Sequence, residues 1–415
     1  MIKIPFGFIT LLLLTFFLKA QSNLSEEAML EKAKIIHEKA IVLDTHVDIP
    51  GKEYATPECD PGIDNPNLRC DLVKMEKGGV DGVFLAVFIS QEDKFDGETY
   101  AKLKDNALAK FEAIERIFEQ YPDRCELALT TADLRRIVST GKRAIMIGIE
   151  NGYAIGDDLS SLDKYYSLGT RYITLSHWRN NQICDSSTDE TPKHGGLSDF
   201  GREVVKKMNL LGIMCDASHI AESSFWDLLD ISSSPIICSH SGSKAVTDHP
   251  RNLSDEQLKA LAKNGGVVQI VAVPNFIESS DHKKMVESLI DEFQLGERNF
   301  NYYMTDEEKE LKKKDIEGYY AKLELLEKTI PAASVKDFVD HIDHAVKIAG
   351  INHVGIGTDF DGGGGVTGFK NHAEALNVTI ELVKRGYSEE DILKIWGGNL
   401  LRVWEKVEAN SAAKS

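Results

Sequence analysis

The sequence is poor in cysteine, in basic residues and in repeated segments, and these shortages exclude several classes of protein. Its 6 cysteines show no zinc-finger spacing. The glycine run at 362–365 lacks the Lys and Ser/Thr of a phosphate-binding P-loop. With 48 Lys and Arg against 66 Asp and Glu, the net charge of −18 disfavours nucleic acid and anionic membrane surfaces as partners. At 415 residues, 42% of them hydrophobic, the chain can still bury a large core.

An apolar run at the N-terminus predicts a signal peptide. Lys3 precedes PFGFITLLLLTFFL, and the small residue Ala20 follows it before polar sequence. The run is short for a membrane span of about 20 residues, so we expect cleavage near Ala20 and export to the periplasm or the medium. We expect no membrane anchor in the mature chain, because no Cys follows the run and the C-terminal KVEANSAAKS is polar. The expected organisation is a signal peptide over 1–20 and a single domain over 21–415.

The even number of cysteines permits disulfides in an oxidising compartment. Cys59 and Cys70 bracket a loop rich in Pro, Asp and Asn, and they are the best candidates for a pair. Cys215 and Cys238 lie inside apolar segments, which favours plain core positions for both.

Eight short apolar segments alternate with amphipathic helical patterns such as those over 99–122 and 199–212. The alternation predicts a parallel sheet of the α/β class, and eight rounds predict closure into a (β/α)8 TIM-type barrel. The eight segments are IVLDTH (41–46), GVFLAVF (82–88), AIMIGIE (144–150), YITLSH (172–177), GIMCDASH (212–219), PIICSH (235–240), GVVQIV (266–271) and HVGIGTD (353–359).

Two segments fall outside this rhythm. The loop over about 51–70 could fold over a pocket at the end of the barrel. The charged stretch over about 278–332 predicts a helical insertion before the last strand. A solvated insertion is the simpler interpretation of this stretch, and a lid or a dimer surface is the functional alternative.

Acidic and imidazole side chains end or directly follow six of the eight segments. In a (β/α)8 barrel the C-terminal ends of all strands open onto one face, where active sites are built. These side chains should therefore converge on one pocket, and their types are those of a zinc site with hydrolytic helpers. They are His46 with Asp48, Glu150, His177, His219, His240 and Asp359.

Five of these residues predict a site for two zinc ions. His46 and Asp48 are spaced i, i+2 on an extended chain, so their side chains point the same way. Glu150 can bridge two cations with its two oxygens. His219 and His240 occupy the same position in successive segments, which favours a shared metal over two unrelated core histidines. The alternatives are a turn for the His-x-Asp pair and an arginine partner for Glu150.

Three further residues predict roles in hydrolysis. Asp359, in GIGTDFDGGGG, could take a proton from water and return it to a leaving amine, with Asp361 as the local competitor. His177 could donate to a developing oxyanion, although the adjacent Trp178 is equally consistent with a packing corner. Arg251 could clamp a substrate carboxylate, and the alternative is a surface arginine.

The chain resembles the membrane (renal-type) dipeptidase family, peptidase family M19, whose members are two-zinc barrels within the amidohydrolase group. The resemblance rests on DTHVD, IGIENG, TLSH, DASH, PIICSHS, PRNLSDE and GIGTDFDG, in the family's order, and spans roughly 41–405. It implies that His46 and Asp48 hold the first zinc, that His219 and His240 hold the second, and that Glu150 bridges the two.

The same resemblance implies an exported zinc dipeptidase that cleaves dipeptides with a metal-bridging hydroxide. His177 would polarise the scissile carbonyl, Arg251 would hold the substrate carboxylate and Asp359 would shuttle protons. A homodimer is expected on the resemblance alone. The alternatives are a zinc amidohydrolase acting on N-acyl amino acids or β-lactam-like amides, and an exported metal-binding protein without catalysis.

Overall fold

The computed structural model describes residues 25–296 and 304–411, and within them nine parallel strands form one sheet. Eight strands follow the order β1-β2-β4-β5-β6-β7-β8-β9, and β3 pairs with β4 outside this path. The strands are β1 Leu43–Asp48, β2 Gly82–Phe88, β3 Cys125–Leu127, β4 Arg143–Glu150, β5 Thr170–Thr174, β6 Met214–Asp216, β7 Ile237–Ser241, β8 Val267–Ile270 and β9 Val354–Ile356.

The ends of the sheet meet, which makes a nearly closed barrel. The Asp48 N–H donates to the Phe360 carbonyl at 2.9 Å, and the Asp359 N–H donates to the His46 carbonyl at 2.9 Å. The chain that follows β9 is thereby joined to β1. The strands are apolar and almost entirely buried, as a parallel sheet covered by helices requires. The predicted TIM-type α/β barrel is confirmed.

A helix separates each strand from the next, and the helices pack around the barrel. Ser254 and Gln257 form a reciprocal cap at the start of α8, and Gly212 ends α6 with a φ of 81°. The helices are α1 Glu26–Lys39, α2 Leu72–Gly78, α3 Gly97–Gln120, α4 Thr131–Ser139, α5 Ser160–Ser167, α6 Asp199–Leu211, α7 Glu222–Ile231, α8 Asp255–Asn264, α9 Ser280–Glu292, α10 Asp306–Leu311, α11 Lys313–Glu327, α12 Val335–Ala349, α13 Leu376–Lys384, α14 Glu389–Leu393 and α15 Asn399–Asn410. None of the helices in the described ranges is long and apolar enough to cross a bilayer.

The C-terminal helix α15 closes the end of the barrel opposite the predicted site. Trp404 is buried, and its ring lies 5.7 Å from that of Phe84, which in turn lies 5.1 Å from the ring of Tyr172. These side chains belong to an apolar layer built from residues near the N-terminal ends of the strands. With this end filled, access to the barrel interior is from the other face.

The helical insertion before the last strand is also confirmed. Helices α9, α10 and α11 lie between β8 and β9 and bury a small apolar cluster of their own. His282 of α9 contacts two carboxylates: its Nδ1 lies 2.6 Å from Glu278 Oε1, and its Nε2 lies 3.0 Å from Oε1 of Glu327 in α11. The cluster contains Val286, Leu289, Ile290, Leu295 and Tyr319.

The expected disulfide differs from the structure, and the expected signal peptide lies outside the residues that the structure describes. All six cysteines are free, so the expected Cys59–Cys70 pair does not form. Cys70 is buried just before α2. Cys59 is half-buried, and its backbone forms an isolated antiparallel β-bridge with Thr56. The signal peptide predicted over 1–20 lies outside the described residues and stays a prediction.

Candidate active site

The C-terminal face of the barrel brings the predicted site residues together. His46, Glu150 and His240 lie within or at the end of β1, β4 and β7. His177 and His219 each lie three residues beyond the end of a strand, in the turns after β5 and β6. Asp359 is placed likewise after β9, and Arg251 lies in the loop between β7 and α8.

Glu150 is the centre of this site, and its two carboxylate oxygens face different histidines. Oε2 lies 3.6 Å from His46 Nε2. Oε1 lies 3.0 Å from His219 Nε2 and 3.4 Å from His240 Nε2. His177 Nε2 lies 3.7 Å from the same Oε1. The carboxylate therefore has the arrangement that a ligand bridging two cations requires.

The donor atoms around Glu150 fit divalent metal ions. His219 Nε2 and His240 Nε2 are 2.9 Å apart, close to the spacing of about 3.4 Å between two ligands of one tetrahedral zinc ion. The buried Nε2 of His46 has no hydrogen-bond partner among the described residues. His46, Asp48 and Asp359 also offer three ligand atoms within 4.8 Å of one another. Imidazole nitrogens with carboxylate oxygens are a donor set that zinc and other divalent first-row metal ions accept.

Buried polar partners orient two of the imidazoles, those of His46 and His240. The Tyr172 hydroxyl lies 2.8 Å from His46 Nδ1. Ser239 Oγ lies 2.8 Å from His240 Nδ1 and donates to the Asp216 carboxylate at 2.6 Å. A partner on Nδ1 fixes the ring's orientation and leaves Nε2 free to bind a metal ion.

Two glycines make room for the site. A Cβ at Gly148 would lie 2.1 Å from the ring of Tyr172, which occupies that space inside the barrel. A Cβ at Gly362 would lie 1.9 Å from Asp48 Oδ2 and 2.3 Å from Asp359 Oδ1. Any larger residue at Gly362 would displace both carboxylates from the metal side of the pocket.

Three of the turns that place site residues use left-handed backbone. The φ angles are 78° at Asn151, which follows Glu150, 71° at His219 and 59° at Asp359. Non-glycine residues rarely adopt this conformation, and it is concentrated at functional sites. Asn151 is held by its side chain, which accepts from the Tyr153 N–H and donates to the Ile89 carbonyl.

Burial and neighbouring charges shift the pKa values of the site residues in opposite directions. Burial lowers the pKa of His46, but the carboxylates of Glu150, Asp359 and Asp48 outweigh it and raise that pKa to about 10. Burial raises the pKa of Glu150, and the surrounding histidines reverse the effect and hold it well below its usual range. His177 behaves differently, because burial lowers its pKa to about 4 and leaves it neutral at pH 7. A neutral imidazole retains one N–H to donate.

Metal affinity is expected to rise with pH between about pH 6 and about pH 9, by up to about tenfold per unit for each proton displaced. The pKa of about 10 means that His46 carries a second proton throughout this interval, and an ion must displace it to reach Nε2. Calorimetric titration of the metal-free protein with Zn²⁺, in buffers of different ionisation enthalpy, measures the protons released. An affinity independent of pH would contradict the protonated state of His46.

The structure distinguishes between the competing interpretations of Arg251 and between Asp359 and Asp361. Arg251 is not a surface residue: it is 3% exposed and donates through Nη2 to the His240 carbonyl at 3.0 Å. The Asp361 carboxylate accepts from the N–H groups of Arg69 and Cys70 at 2.7 and 3.1 Å, which ties the 51–70 loop to the loop after β9. The Asp359 carboxylate instead lies 3.8 Å from His46 Nε2. Asp361 is therefore engaged outside the metal pocket.

Lys110 of α3 is a residue that sequence reasoning missed. Its ammonium donates to the carbonyl of Phe88, the last residue of β2, at 2.6 Å. Burial lowers the pKa of Lys110, whereas the charges of Asp48 and Glu150 act in the opposite direction. A lysine inside an amphipathic helix gives no sequence signal that its ammonium lies beside a barrel mouth. A positive charge there reduces the repulsion between the two carboxylates.

Another missed feature is a buried hydrogen-bond network around Asp44, beneath the site. Asp44 accepts from His372 Nε2 at 2.8 Å and from the Thr358 N–H at 2.8 Å. It also accepts from the His46 N–H at 3.2 Å. Asp44 thus joins the segment that carries His46 to the segment that carries Asp359, which fixes their separation.

This chain is similar to proteins described as dipeptidases. The dipeptidase tcpJ of Claviceps purpurea is 32% identical over 349 residues, covering 83% of this chain and 70% of that protein. The dipeptidase verJ of Clonostachys rogersoniana is 32% identical over 378 residues, covering 88% and 84%. The crystal structure of the probable dipeptidase PvdM from Pseudomonas aeruginosa is 31% identical with a TM-score of 0.79, covering 93% of this chain and 100% of that one.

A family model also matches the chain. The model of the membrane dipeptidase family, peptidase family M19, matches residues 30–415, which is nearly the whole chain. The site residues described above all lie within this range. This chain belongs to the membrane dipeptidase family, peptidase family M19, and is a metallo-dipeptidase by membership of that family.

Proposed function

We propose that this protein is a zinc-dependent dipeptidase that binds two metal ions bridged by Glu150. The observation that carries the proposal is the division of the Glu150 oxygens, with Oε2 toward His46 and Oε1 toward His219 and His240. A structural zinc site is closed by four protein ligands and needs no bridging carboxylate. Two adjacent cations are the arrangement that hydrolytic enzymes use.

The metal ligands divide into two sets that share Glu150. His46 and Asp48 would hold one ion, and His219 and His240 would hold the other. The chemistry that zinc would supply at these residues is polarisation of the scissile carbonyl and a lowered pKa for the attacking water.

The protein's own residues account for the remaining chemistry. Asp359 takes a proton from the attacking water and returns it to the departing amine, so the leaving group is neutral. His177, neutral at pH 7, donates an N–H to the carbonyl oxygen as negative charge develops there. Arg251 stays cationic at pH 7, since burial lowers its pKa only to about 10, and it attracts the C-terminal carboxylate of the substrate.

A carboxylate clamp close to the metal pocket limits the substrate length. Arg251 contacts the backbone of His240, so its guanidinium lies beside a metal ligand. A substrate with its carbonyl at the metals and its C-terminal carboxylate at this guanidinium would be short, which favours dipeptides over longer peptides.

The proposal is tested by the initial rates of hydrolysis of Ala-Leu and N-acetyl-Ala-Leu, each with and without a chelator. We expect cleavage of Ala-Leu that the chelator abolishes and that added Zn²⁺ restores. Preference for the acetylated compound would move the assignment to an acylamino-acid hydrolase on the same barrel. Zinc binding without hydrolysis of either compound would identify a metal-binding protein that lacks catalysis.

We also propose that the enzyme acts outside the cytoplasm. The support is the apolar run PFGFITLLLLTFFL between Lys3 and Ala20, which has the pattern of a cleaved signal peptide. N-terminal sequencing of the mature protein from the culture medium or the periplasm tests this proposal. An N-terminus near Gln21 would support it, and retention of Met1 would overturn it.

A further inference from the structure

Trp178 is a large aromatic residue that the proposed chemistry does not use. Its side chain is 47% exposed, although the neighbouring His177 and the nearby His219 are mostly buried. The Trp178 ring lies 5.4 Å from the ring of His177 and 5.7 Å from that of His219, edge to face in both cases. An indole at the mouth of the metal pocket therefore presents apolar area to whatever enters.

Phe276, which is 6% exposed, continues the aromatic contacts of Trp178 toward Arg251. It lies in the segment after β8, and its ring is 6.5 Å from that of Trp178. The Arg251 guanidinium lies 5.5 Å from the centre of the Phe276 ring, a cation–π distance. The two rings thus form an aromatic wall that extends from His177 and His219 at one end to Arg251 at the other.

The ends of the aromatic wall coincide with the two points at which a dipeptide would be held. This step rests on the proposed function, which places the scissile carbonyl at His177 and the C-terminal carboxylate at Arg251. The C-terminal residue of the substrate must lie between these points. We infer that Trp178 and Phe276 form the pocket wall for the side chain of this C-terminal residue and make the enzyme select apolar side chains there.

The physical basis is the burial of apolar area. An aliphatic or aromatic side chain on the C-terminal residue would cover the exposed indole, and glycine would leave it in water. A lysine or arginine side chain would approach the Arg251 guanidinium, which disfavours it. Pockets of this kind discriminate by about 10-fold to 200-fold per apolar group.

The test compares kcat/KM for Ala-Leu and Ala-Gly in the wild type, Trp178→Ala and Trp226→Ala. Trp226 is the matched control, because it is 40% exposed on α7 and donates to Glu222 of its own helix. We expect the wild type to prefer Ala-Leu by at least about 10-fold. Trp178→Ala should reduce this ratio at least about fivefold, and Trp226→Ala should leave it unchanged.

Equilibrium binding provides a second readout that does not depend on turnover. The probes are the reduced-amide analogues of Ala-Leu and Ala-Gly, in which a CH2–NH link replaces the peptide bond, titrated calorimetrically into the zinc-loaded protein. Trp178→Ala should weaken binding of the leucine analogue more than that of the glycine analogue. Equal weakening of both would show that Trp178 only packs against His177 and would overturn the inference.

The outcomes separate this inference from the function on which it rests. If the wild type cleaves neither dipeptide, the proposed function is overturned. If it cleaves both without preferring leucine, or if Trp178→Ala lowers kcat/KM for both equally, only the aromatic wall is overturned.

Discussion

Glu150→Gln is expected to remove most of the bound metal and to lower kcat/KM by at least about 1,000-fold. The carboxylate faces His46, His219 and His240 within 3.6 Å, and a neutral amide cannot offer two anionic oxygens to two cations. Partners outside the ligand sphere already contribute about 10-fold to 100-fold in metal affinity or activity, so a bridging ligand should contribute more. Metal content by mass spectrometry of the purified variant, together with its Ala-Leu hydrolysis rate, measures both effects.

Glu126→Gln is the matched control for this experiment. Glu126 lies in β3 and pairs with the exposed Arg136 at 2.6 Å, outside the metal pocket. The same change of charge and shape there should leave metal content and kcat/KM as in the wild type. Two zinc ions retained in Glu150→Gln, with activity within about threefold of the wild type, would contradict the bridging role.

Asp359→Asn is expected to retain both metal ions and to lower kcat by about 100-fold to 10,000-fold, the range of general acid–base catalysis. Asparagine tolerates the left-handed φ of 59° at this position and keeps an oxygen where the carboxylate oxygen lies, so the loop should fold unchanged. The amide cannot accept the proton of the attacking water. Single-turnover rates with Ala-Leu, alongside metal content, separate this loss of chemistry from loss of zinc.

Asp361→Asn is the control that separates loss of proton transfer by Asp359 from disturbance of the loop that carries both residues. Asp361 has a φ of 64°, close to that of Asp359, but its carboxylate accepts from the N–H groups of Arg69 and Cys70. This variant should loosen the 51–70 loop and lower the melting temperature while retaining kcat. If it lost kcat as Asp359→Asn does, or if Asp359→Asn turned over at the wild-type rate, the assignment of Asp359 would be wrong.

The barrel was predictable because every strand that forms it is a short apolar segment bounded by a helix. The sheet has one further strand, β3, Cys125–Leu127, which lies outside the barrel path and which the sequence analysis missed. It is as short as β6 and β9, but it pairs only with β4 at the margin of the sheet and only Cys125 is fully buried, so it lacks the complete burial that marks those two strands. Its omission does not alter the order of the eight strands that form the barrel.

The convergence of the site residues was predictable, but the turns that position them were not. The segment GIMCDASH predicts a strand that runs to His219, whereas β6 ends at Asp216 and His219 follows in left-handed backbone. Hydrophobic periodicity carries no information on φ, and neither His nor Asp is a residue that demands a positive value. The role of the turn after β9 in placing Asp359 was hidden for the same reason.

The residues that orient the site side chains depend on contacts between strands that are far apart in the sequence. Tyr172 reaches His46 only because Gly148 of the neighbouring strand leaves space for its ring. No spacing in the sequence links these three positions. The burial of Arg251 depends likewise on the loop after β7 turning back, with Ser243 and Leu253 forming a bridge.

Titration of the metal-free enzyme with Zn²⁺, with Ala-Leu hydrolysis followed at each addition, tests the central claim most directly. The proposed site predicts that activity reaches its maximum when two ions are bound per chain, and that Glu150→Gln never reaches it. Full activity at one ion per chain, or two bound ions with no hydrolysis, would contradict a two-metal dipeptidase centred on Glu150.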